Sequence, residues 1–397
     1  MVPMSYWSDL PSELLDLVAT HFDSSSDTRH FRSVCSEWRF AIPRPISTRF
    51  PPMKFFNSSD VHHCDIQLEK QTFYHLSSQS SNPGSPGWLV KIEENNPGSV
   101  RLFNPFSRSP IKHLPFNFPK QLDLTNIKIR ELDHEYVLRN VSGNTELFNM
   151  EHEKVAIIAS SSNNSNDFVI LSTHNTGKLV MYQSVQQIWS ILDDPTLGYD
   201  GRSIYVNDWS MHYVDVMEVN GIFYAVTNSG RTVAINVTDY STVKVTLLKN
   251  SIIGGDKKCL VKLSDDLLMV DFYTDTTPSG SIKILAVEIF KLDKEGQKWE
   301  LLKSLGDHAL FISNHSSFSA IGLPGCEGNC IYFRFESFDK NKCCLDKINE
   351  EKDGFEWRNE KIGVFDFEKG VVGILEEYLD NSLLFSWPPP SWVLTSK

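Results

Sequence analysis

Near its amino end the chain places apolar and polar residues with the period of an α-helix. The segment LPSELLDLVATHF has apolar residues at intervals of three or four positions, which puts them on one helix face. These residues are Leu10, Leu14, Leu17, Val18 and Phe22. Pro11 suits the first turn of a helix, because the N–H that proline lacks would have no partner there. The pattern predicts an amphipathic helix that begins near Pro11.

A second helical pattern follows the polar break at residues 23–27. In TRHFRSVCSEWRFAI the apolar residues again fall at helical intervals, which predicts one or two further helical segments. Prolines recur between residues 43 and 52 and exclude a helix there. We therefore expect a small helical module over residues 6–42 and a stiff, proline-rich linker over residues 43–54.

From about residue 55 onward the apolar runs become short and are bounded by Gly, Asn, Asp, Ser and Pro. Such runs are typical of β-strands separated by turns, and examples are WLVKI from Trp88 and CIYFRF from Cys330. The clearest hairpin lies at residues 220–237, where an Asn-Ser-Gly sequence separates two apolar-rich strands. This part of the chain is predicted to be all β.

So many short strands exceed what one β-sandwich holds, whereas a β-propeller accommodates them as four-stranded blades of roughly 40–50 residues each. We expect a kelch-like propeller of about six or seven blades over residues 55–392. A weak repeat of strand, polar turn and second strand begins at Tyr182, Ile289 and Val364. The carboxyl-terminal segment SLLFSWPPPSWVLTSK is expected to close the ring by a short strand at residues 383–386, since its prolines limit pairing elsewhere.

Composition and charge narrow the range of partners. The 397 residues are 41% hydrophobic, which is enough apolar surface for a large core. The net charge of −12 disfavours binding to phosphate backbones and to anionic lipid. The basic stretch at residues 128–130 is soon followed by acidic residues, and we interpret it as the solvated face of a strand. Neither a nucleic acid nor a membrane is expected as a partner.

The amino-terminal sequence lacks a basic region followed by an apolar run, and no stretch approaches the ~18 apolar residues of a membrane-spanning helix. The chain has seven cysteines, and an odd number without a secretion signal favours reduced thiols over a disulfide framework. An intracellular protein is therefore expected, in the nucleus, the cytoplasm or both.

Metal binding and catalysis find little support in the residue spacing. Cys326, Cys330 and the adjacent pair Cys343 and Cys344 do not have the spacing of a zinc finger, because adjacent ligands strain tetrahedral geometry. Cys330 is more simply a small core residue of a strand. The sequence contains no phosphate-binding loop, nucleophile elbow or H-E-x-x-H helix. We predict no metal, no cofactor and no catalytic residue.

The helical module resembles a known docking domain. LPSELL at residues 10–15 and FRSVCSEWRFAI at residues 31–42 resemble the F-box, a three-helix module that docks onto the Skp linker subunit of SCF-type ubiquitin ligases. The sequence SSSDTRH replaces the more usual apolar turn in the middle of the motif. The matching residues are Leu10, Pro11, Glu13, Leu14, Leu15, Val34, Cys35, Trp38 and Arg39.

The remainder carries a second resemblance, to the KIB-type β-propeller of plant F-box proteins. It rests on residues 215–236, on residues 261–273 and above all on SLGDHALFISNHSSFSAIGLPGCEGNCIYF at residues 304–333. RLFNPFSRSPIKHLP at residues 101–115 matches the Asn-Pro turn of the same family. The two resemblances imply a mostly β protein in which a three-helix F-box precedes the propeller.

Their combination implies a non-catalytic substrate-recognition subunit of an SCF ligase. Its expected partners are a Skp-type linker subunit, a cullin reached through that linker, and a target protein that the sequence does not identify. A module of about 40 residues has little core of its own, so its apolar face needs a partner. The expected Skp-binding residues are Leu10, Pro11, Leu14, Leu15, Val18, Phe22, Val34, Cys35, Trp38 and Arg39.

Two other interpretations stay open at this point. In the first, the helical module only packs on the propeller, and the protein is a scaffold that acts without a ligase. In the second, the propeller is an enzyme acting on a sugar or a phosphate.

Trp209, His212 and Tyr213 could line a recognition face, although aromatic residues of a propeller more often pack between blades.

Overall fold

We describe the protein from a computed structural model. The description covers residues 10–19, 31, 34–36, 38, 53–56, 63–79, 87–96, 99–108, 110–111, 113–119, 126–140, 153–160, 167–192, 194, 209–252, 254–276, 282–293, 295, 297–334, 362–375, 382–386 and 388–394. These residues form an amino-terminal helix and five antiparallel or mixed β-sheets.

The first sheet, blade 1, contains five strands and has an unusual order. The first four strands form a meander, the long second strand also pairs with the fifth, and that fifth strand faces the centre of the molecule. The strands are β1 (Met53–Phe56), β2 (His63–Ser78), β3 (Trp88–Asn96), β4 (Ser99–Phe103) and β5 (Ile127–Asn140).

Blades 2, 3 and 4 are four-stranded antiparallel meanders in chain order. Blade 2 consists of β6 (Val155–Ala159), β7 (Phe168–Thr173), β8 (Leu179–Gln183) and β9 (Ile188–Ile191). Blade 3 consists of β10 (Tyr213–Val219), β11 (Ile222–Thr227), β12 (Thr232–Thr238) and β13 (Thr242–Leu247). Blade 4 consists of β14 (Lys257–Leu263), β15 (Asp266–Thr276), β16 (Ile282–Asp293) and β17 (Lys298–Leu301).

Blade 5 has the strand order β19-β18-β20-β21-β22, so the chain enters at the second strand and then turns inward. Consequently β18 and β20 are parallel neighbours, whereas the other pairs are antiparallel. The strands are β18 (His308–Ile312), β19 (Ser317–Ile321), β20 (Cys330–Arg334), β21 (Ile362–Asp366) and β22 (Val371–Ile374).

The innermost strands define a closed ring. Strand β5 lies beside β6, β6 beside β10, β10 beside β14, β14 beside β19, and β19 again beside β5. The predicted β-propeller is therefore confirmed, but the described residues form five blades rather than six or seven. The prediction assumed blades of equal length, whereas blades 1 and 5 each contain five strands and together use residues 53–140 and 308–374.

The hairpin predicted at residues 220–237 is confirmed as the antiparallel pair β11–β12. Gly230 has a φ of 82° in its turn, a left-handed conformation that glycine adopts without a steric penalty. The weak repeat corresponds to the outer hairpins of the blades. Trp189 in β9 and Trp299 in β17 are the buried residues of otherwise exposed outer strands, and Trp299 Nε1 donates to Thr232 Oγ1 of blade 3 at 3.2 Å.

Stacked aromatic side chains close the circle of blades between blade 1 and blade 5. Phe73 of β2 stacks on Phe318 of β19 with ring centroids 4.3 Å apart, and Phe318 stacks on Phe311 of β18 at 4.7 Å. Phe311 in turn stacks on Tyr332 of β20 at 5.2 Å. All four rings are almost completely buried, so this seam excludes water along its length.

The carboxyl-terminal segment contributes to the same seam, but not as the strand that the sequence predicted. Residues Ser382–Phe385 form a 3₁₀ turn that buries Leu384 and Phe385. Trp88 of β3 donates its indole N–H to the Ser386 carbonyl at 3.2 Å. A one-turn helix, α2 (Ser391–Leu394), then buries Val393 against blade 1. Closure here depends on side-chain burial because a proline-rich segment cannot continue a hydrogen-bonded ladder.

Polar side chains hold the inner ends of the blades together. The Asn104 side chain caps the predicted Asn-Pro turn by accepting from the Phe106 N–H at 2.8 Å, and Arg108 follows this turn. Arg108 donates to the carbonyls of Glu153, which directly precedes blade 2, and of His315 in blade 5, at 2.8 and 3.2 Å. It also contacts Glu135 of β5 at 3.4 Å. One buried guanidinium therefore connects three blades.

Asp215 of β10 plays the same part on the other side of the ring. Its Oδ2 accepts from the Leu260 N–H of blade 4 at 2.9 Å and lies 3.4 Å from Lys154 Nζ, which precedes blade 2. Its Oδ1 accepts from the Val216 N–H at 2.8 Å. Burial raises the pKa of Asp215, while Lys154 and these N–H groups oppose the shift. Asp215 thus connects blades 2, 3 and 4.

A buried histidine makes stability depend on pH. His75 of β2 is 4% exposed, and burial followed by the nearby Arg130 lowers its pKa from 6.5 to about 4. As the pH falls from about 6.5 to about 4, His75 binds a proton in the unfolded chain but not in the folded chain, so the free energy of unfolding decreases. At pH 5 we expect His75 to lower the free energy of unfolding by about 2 kcal/mol relative to neutral pH.

Urea unfolding at several pH values measures this contribution. The variant His75→Gln should lose less stability on acidification than the unchanged chain, and the exposed His113→Gln serves as the matched control. An equal decline in all three proteins would contradict the assignment to His75.

Candidate functional site

The candidate site lies in the amino-terminal helix α1 (Ser12–Ala19) and the short stretches that follow it. The helix begins where the Pro11 carbonyl accepts from the N–H groups of Leu14 and Leu15, at 3.1 and 3.2 Å. Proline is favoured at this place because its fixed φ matches the first helical turn. The helix predicted to begin near Pro11 is therefore confirmed.

A small apolar cluster stabilises this region from within. Leu15 and Phe31 are 2% and 6% exposed, and Leu10 and Trp38 pack against them. The rings of Phe31 and Trp38 lie with centroids 4.4 Å apart. This cluster draws on both predicted helical segments, so the second segment is held against the inner side of α1.

The opposite side of α1 remains exposed and apolar. Leu14, Leu17 and Val18 are 47%, 59% and 44% exposed, and their spacing places them on one face of the helix. Val34, after the second segment begins, is 55% exposed. Exposed aliphatic side chains at adjacent positions on such a small element are the usual mark of a protein-docking surface. We call Leu14, Leu17, Val18 and Val34 the α1 face.

The structure separates the predicted docking residues into groups. Leu14, Val18 and Val34 lie on the α1 face, and Pro11 is exposed at the helix start. Leu15 lies in the inner cluster, while Leu10, Cys35 and Trp38 are half-buried. Phe22 and Arg39 lie outside the described residues, as does most of the predicted three-helix arrangement.

Leu17 was missed as a docking residue although it is the most exposed member of the α1 face. The signal that would have found it is its separation of three positions from Leu14, which places both on the same side of the helix. A motif match depends on which residue types are present, whereas docking depends on which side chains point outward.

Two thiols of the propeller, those of Cys326 and Cys330, are packed among other side chains. Burial raises the pKa of both Cys326 and Cys330 to about 12, which keeps these thiols protonated at neutral pH. Cys330 is 2% exposed within β20, so its prediction as a core residue is confirmed. Among the residues described, no group of three His, Cys, Asp or Glu side chains could hold a metal ion.

Tyr213, one of the aromatic residues suggested for a recognition face, serves the scaffold. Tyr213 is 4% exposed and donates its hydroxyl to Asp194 at 2.5 Å, next to Arg231. Arg231 in turn contacts Asp194 at 2.8 Å. Tyr213 therefore fastens blade 3 to the segment that follows blade 2.

Comparison with known proteins identifies a family and several relatives that this chain resembles. The profile of the KIB1-4 β-propeller family matches residues 55–366. The F-box protein SKIP23 of Arabidopsis thaliana is 31% identical over 98% of this chain and 95% of its own length. The Arabidopsis F-box protein At2g17036 is 29% identical over 99% of this chain and 96% of its own.

A third Arabidopsis relative, the putative F-box protein At5g60060, is 32% identical over 81% of this chain and 85% of its own length. The first two alignments span both the helical region and the propeller, so the likeness is not confined to one part. Within the described part of the chain, no helix has both the length and the apolar composition that crossing a membrane requires.

Proposed function

The chain belongs to the family of plant F-box proteins that carry a KIB1-4 β-propeller, and from this membership we propose that it recruits target proteins to an SCF-type ubiquitin ligase. In this proposal residues 6–42 are the F-box and residues 55–392 are the propeller, whose first strand begins two residues earlier, at Met53, within the segment predicted as linker. The F-box docks on a Skp-type linker subunit, which in turn connects it to a cullin.

The observation that carries the proposal is the α1 face. Its four aliphatic side chains stay exposed although Leu15 and Phe31, only short distances away in sequence, are buried in an inner cluster. The helix therefore buries one side in its own cluster and exposes aliphatic side chains on the other. Covering an exposed leucine or valine stabilises a complex by about 1–2 kcal/mol for each side chain, so a partner groove over this face gains most of its affinity here.

The propeller supplies the second requirement of a recruiting subunit, which is rigidity. Buried Arg108 and Asp215 connect neighbouring blades, and the stacked rings between blades 1 and 5 close the circle. Loops on such a scaffold keep a fixed arrangement. A target held there stays near the ubiquitin-charged enzyme of the ligase, which raises the effective concentration of its lysines.

This role requires no bond chemistry from the chain itself. The proposal therefore assigns no catalytic residue, cofactor or metal, and it places the protein wherever SCF ligases work, in the nucleus or the cytoplasm. The two Arabidopsis relatives are named F-box proteins, and this chain matches nearly their whole length, which supports the assignment.

Reconstitution from purified components tests the proposal. The full chain is mixed with a plant Skp subunit and a cullin, and gel filtration then reports whether the three proteins elute together. Co-elution is expected. If the chain elutes alone while a known F-box protein binds the same Skp preparation, the ligase-independent scaffold is the correct interpretation.

A further inference from the structure

A cavity of about 150 Å³ lies in the seam between blades 3 and 4. The buried part of its lining is mainly aliphatic and consists of Val219, Tyr224, Ala234, Leu248 and Leu292. The other lining residues are either half-buried, namely Ile222 and Thr246, or exposed, namely Asn220, Asn236 and Gln297. The cavity therefore has an apolar interior and an opening bordered by three uncharged amide side chains.

The strand register of blade 3 explains why a gap exists at this place. Tyr224 of β11 is paired with Ala234 of β12, and Ala234 is paired with Thr246 of β13. Paired residues of neighbouring strands point to the same face of a sheet, so these three side chains form one row along the cavity. The middle position of this row carries only a methyl group, which leaves room that a larger side chain would fill.

Hydrogen bonds hold blades 3 and 4 together beside the cavity. The Lys249 N–H donates to the Gln297 carbonyl at 3.0 Å, which fixes one of the residues at the opening. The Asn250 side chain accepts from the Trp299 N–H at 2.8 Å and donates to the Trp299 carbonyl at 3.2 Å. Protein interiors are otherwise closely packed, so a cavity between blades that are held in this way is available to a ligand without prior rearrangement.

The volume and chemistry of the cavity restrict its occupant. A cavity of roughly 150 Å³ admits a group of about the size of benzene, whereas pockets for drug-sized ligands and cofactors usually measure about 300–1,000 Å³. None of the ten described lining residues is charged, so a charged group would lose its hydration here without gaining an ion pair. The amide groups at the opening can donate to and accept from a peptide main chain.

We propose that this cavity binds one apolar side chain, of the size of leucine or phenylalanine, that protrudes from a segment of a partner protein. A free apolar small molecule fits less well, because it gains no hydrogen bonds from the amides at the opening. Under the proposed function this segment belongs to the target, but binding in the cavity does not depend on whether the chain joins a ligase.

Methyl NMR spectroscopy of the full chain without any Skp subunit tests the proposal, because it detects weak binding at defined side chains. The probe is the peptide acetyl-Gly-Ser-Leu-Ser-Gly-amide, and two comparison peptides have Ala or Lys in place of Leu. Benzene represents the free small molecule. The variants Ala234→Leu and Thr246→Phe fill the cavity from two strands, and Ala286→Leu and Thr242→Phe are matched controls at exposed positions outside it.

The leucine peptide should shift the methyl signals of Ile222, Leu248 and Leu292 with a dissociation constant on the order of 1–10 mM. The alanine and lysine peptides should bind at least about tenfold more weakly, since they bury less apolar surface or bring a charge. Ala234→Leu and Thr246→Phe should each weaken binding of the leucine peptide about tenfold, whereas the two controls should leave it unchanged.

Urea unfolding of both variants shows that they are folded, and two independent positions keep the test decisive if one variant fails to fold. The proposal is overturned by unchanged methyl signals, by equal binding of the three peptides, by equal loss in the controls, or by binding of benzene without the leucine peptide. Because Skp is absent, such a failure leaves the proposed ligase function untouched.

Discussion

Replacing Leu14 and Val18 by aspartate together is expected to weaken binding of the full chain to a Skp-type subunit by about a hundredfold or more. Both side chains lie on the α1 face and are 47% and 44% exposed, so the free protein should accept the changes without losing its inner cluster. In the complex each carboxylate would be buried against an apolar groove without a partner, which is strongly unfavourable. Isothermal titration calorimetry with purified Skp subunit measures the effect.

The inner cluster provides a contrast that the motif alone could not suggest. Leu15→Asp should also abolish binding, but by unfolding the helical module, because Leu15 is 2% exposed. Leu285→Asp changes a leucine of blade 4 that is 58% exposed and serves as the matched control. If the Leu14→Asp/Val18→Asp protein binds Skp as tightly as the Leu285→Asp protein, the α1 face is not the docking surface.

Replacing Asp215 by alanine is expected to lower the free energy of unfolding by about 3–5 kcal/mol. The change removes the acceptor of the Leu260 N–H and the carboxylate beside Lys154, two groups in different blades. Asp215 is 1% exposed, so water cannot replace these contacts. Urea unfolding followed by tryptophan fluorescence measures the change, and target binding should be lost in parallel because the blades shift.

Two further variants separate charge from hydrogen bonding at this position. Asp215→Asn keeps an acceptor but removes the negative charge, so we expect it to lower the free energy of unfolding by less than Asp215→Ala does. Asp266→Ala removes a partly exposed ion pair with Lys291 at 2.6 Å and should cost less than about 1 kcal/mol. A loss for Asp215→Ala as small as that for Asp266→Ala would show that the blades do not depend on this carboxylate.

The two predictions concern the two attachments that the proposed recruiting role requires. The first removes docking while the propeller stays intact, whereas the second loosens the propeller while the α1 face stays unchanged. A protein that recruits targets needs both, since an effective concentration is high only when both attachments are geometrically defined. Measuring Skp binding and unfolding on both variants therefore separates the two contributions.

Local pattern was sufficient for features that nearest neighbours in sequence determine. The helical spacing of Leu14, Leu17 and Val18 predicted α1, and the Asn-Ser-Gly turn predicted the β11–β12 hairpin, because each depends on residues a few positions apart. The Asn-Pro turn at Asn104 was also visible in sequence. What that turn accomplishes was not visible, since Arg108 finds its partners in two other blades.

Among the described residues, the blade count and the mode of closure both differ from the prediction, and for a related reason. Counting strands assumes that each sheet takes equal lengths of chain, whereas pairing of β5 with β2 brings residues distant in sequence into one blade. The carboxyl-terminal segment was expected to add a strand, but Leu384 and Phe385 are buried on a 3₁₀ turn instead. Which side chains a seam will bury depends on surfaces that exist only after the blades have assembled.

By itself the sequence determined the class of elements and the order of helical module and propeller, because these follow from periodicity and from local turn signals. It also indicated the family, through the resemblance of its motifs to those of known proteins. Only the tertiary structure decided that Leu15 turns inward while Leu14 and Leu17 turn outward, that blades 1 and 5 meet through stacked aromatic rings, and that a cavity lies between blades 3 and 4. Exposure and inter-blade contact are properties of the packed molecule, in which a residue's neighbours are set by the fold rather than by its position along the chain.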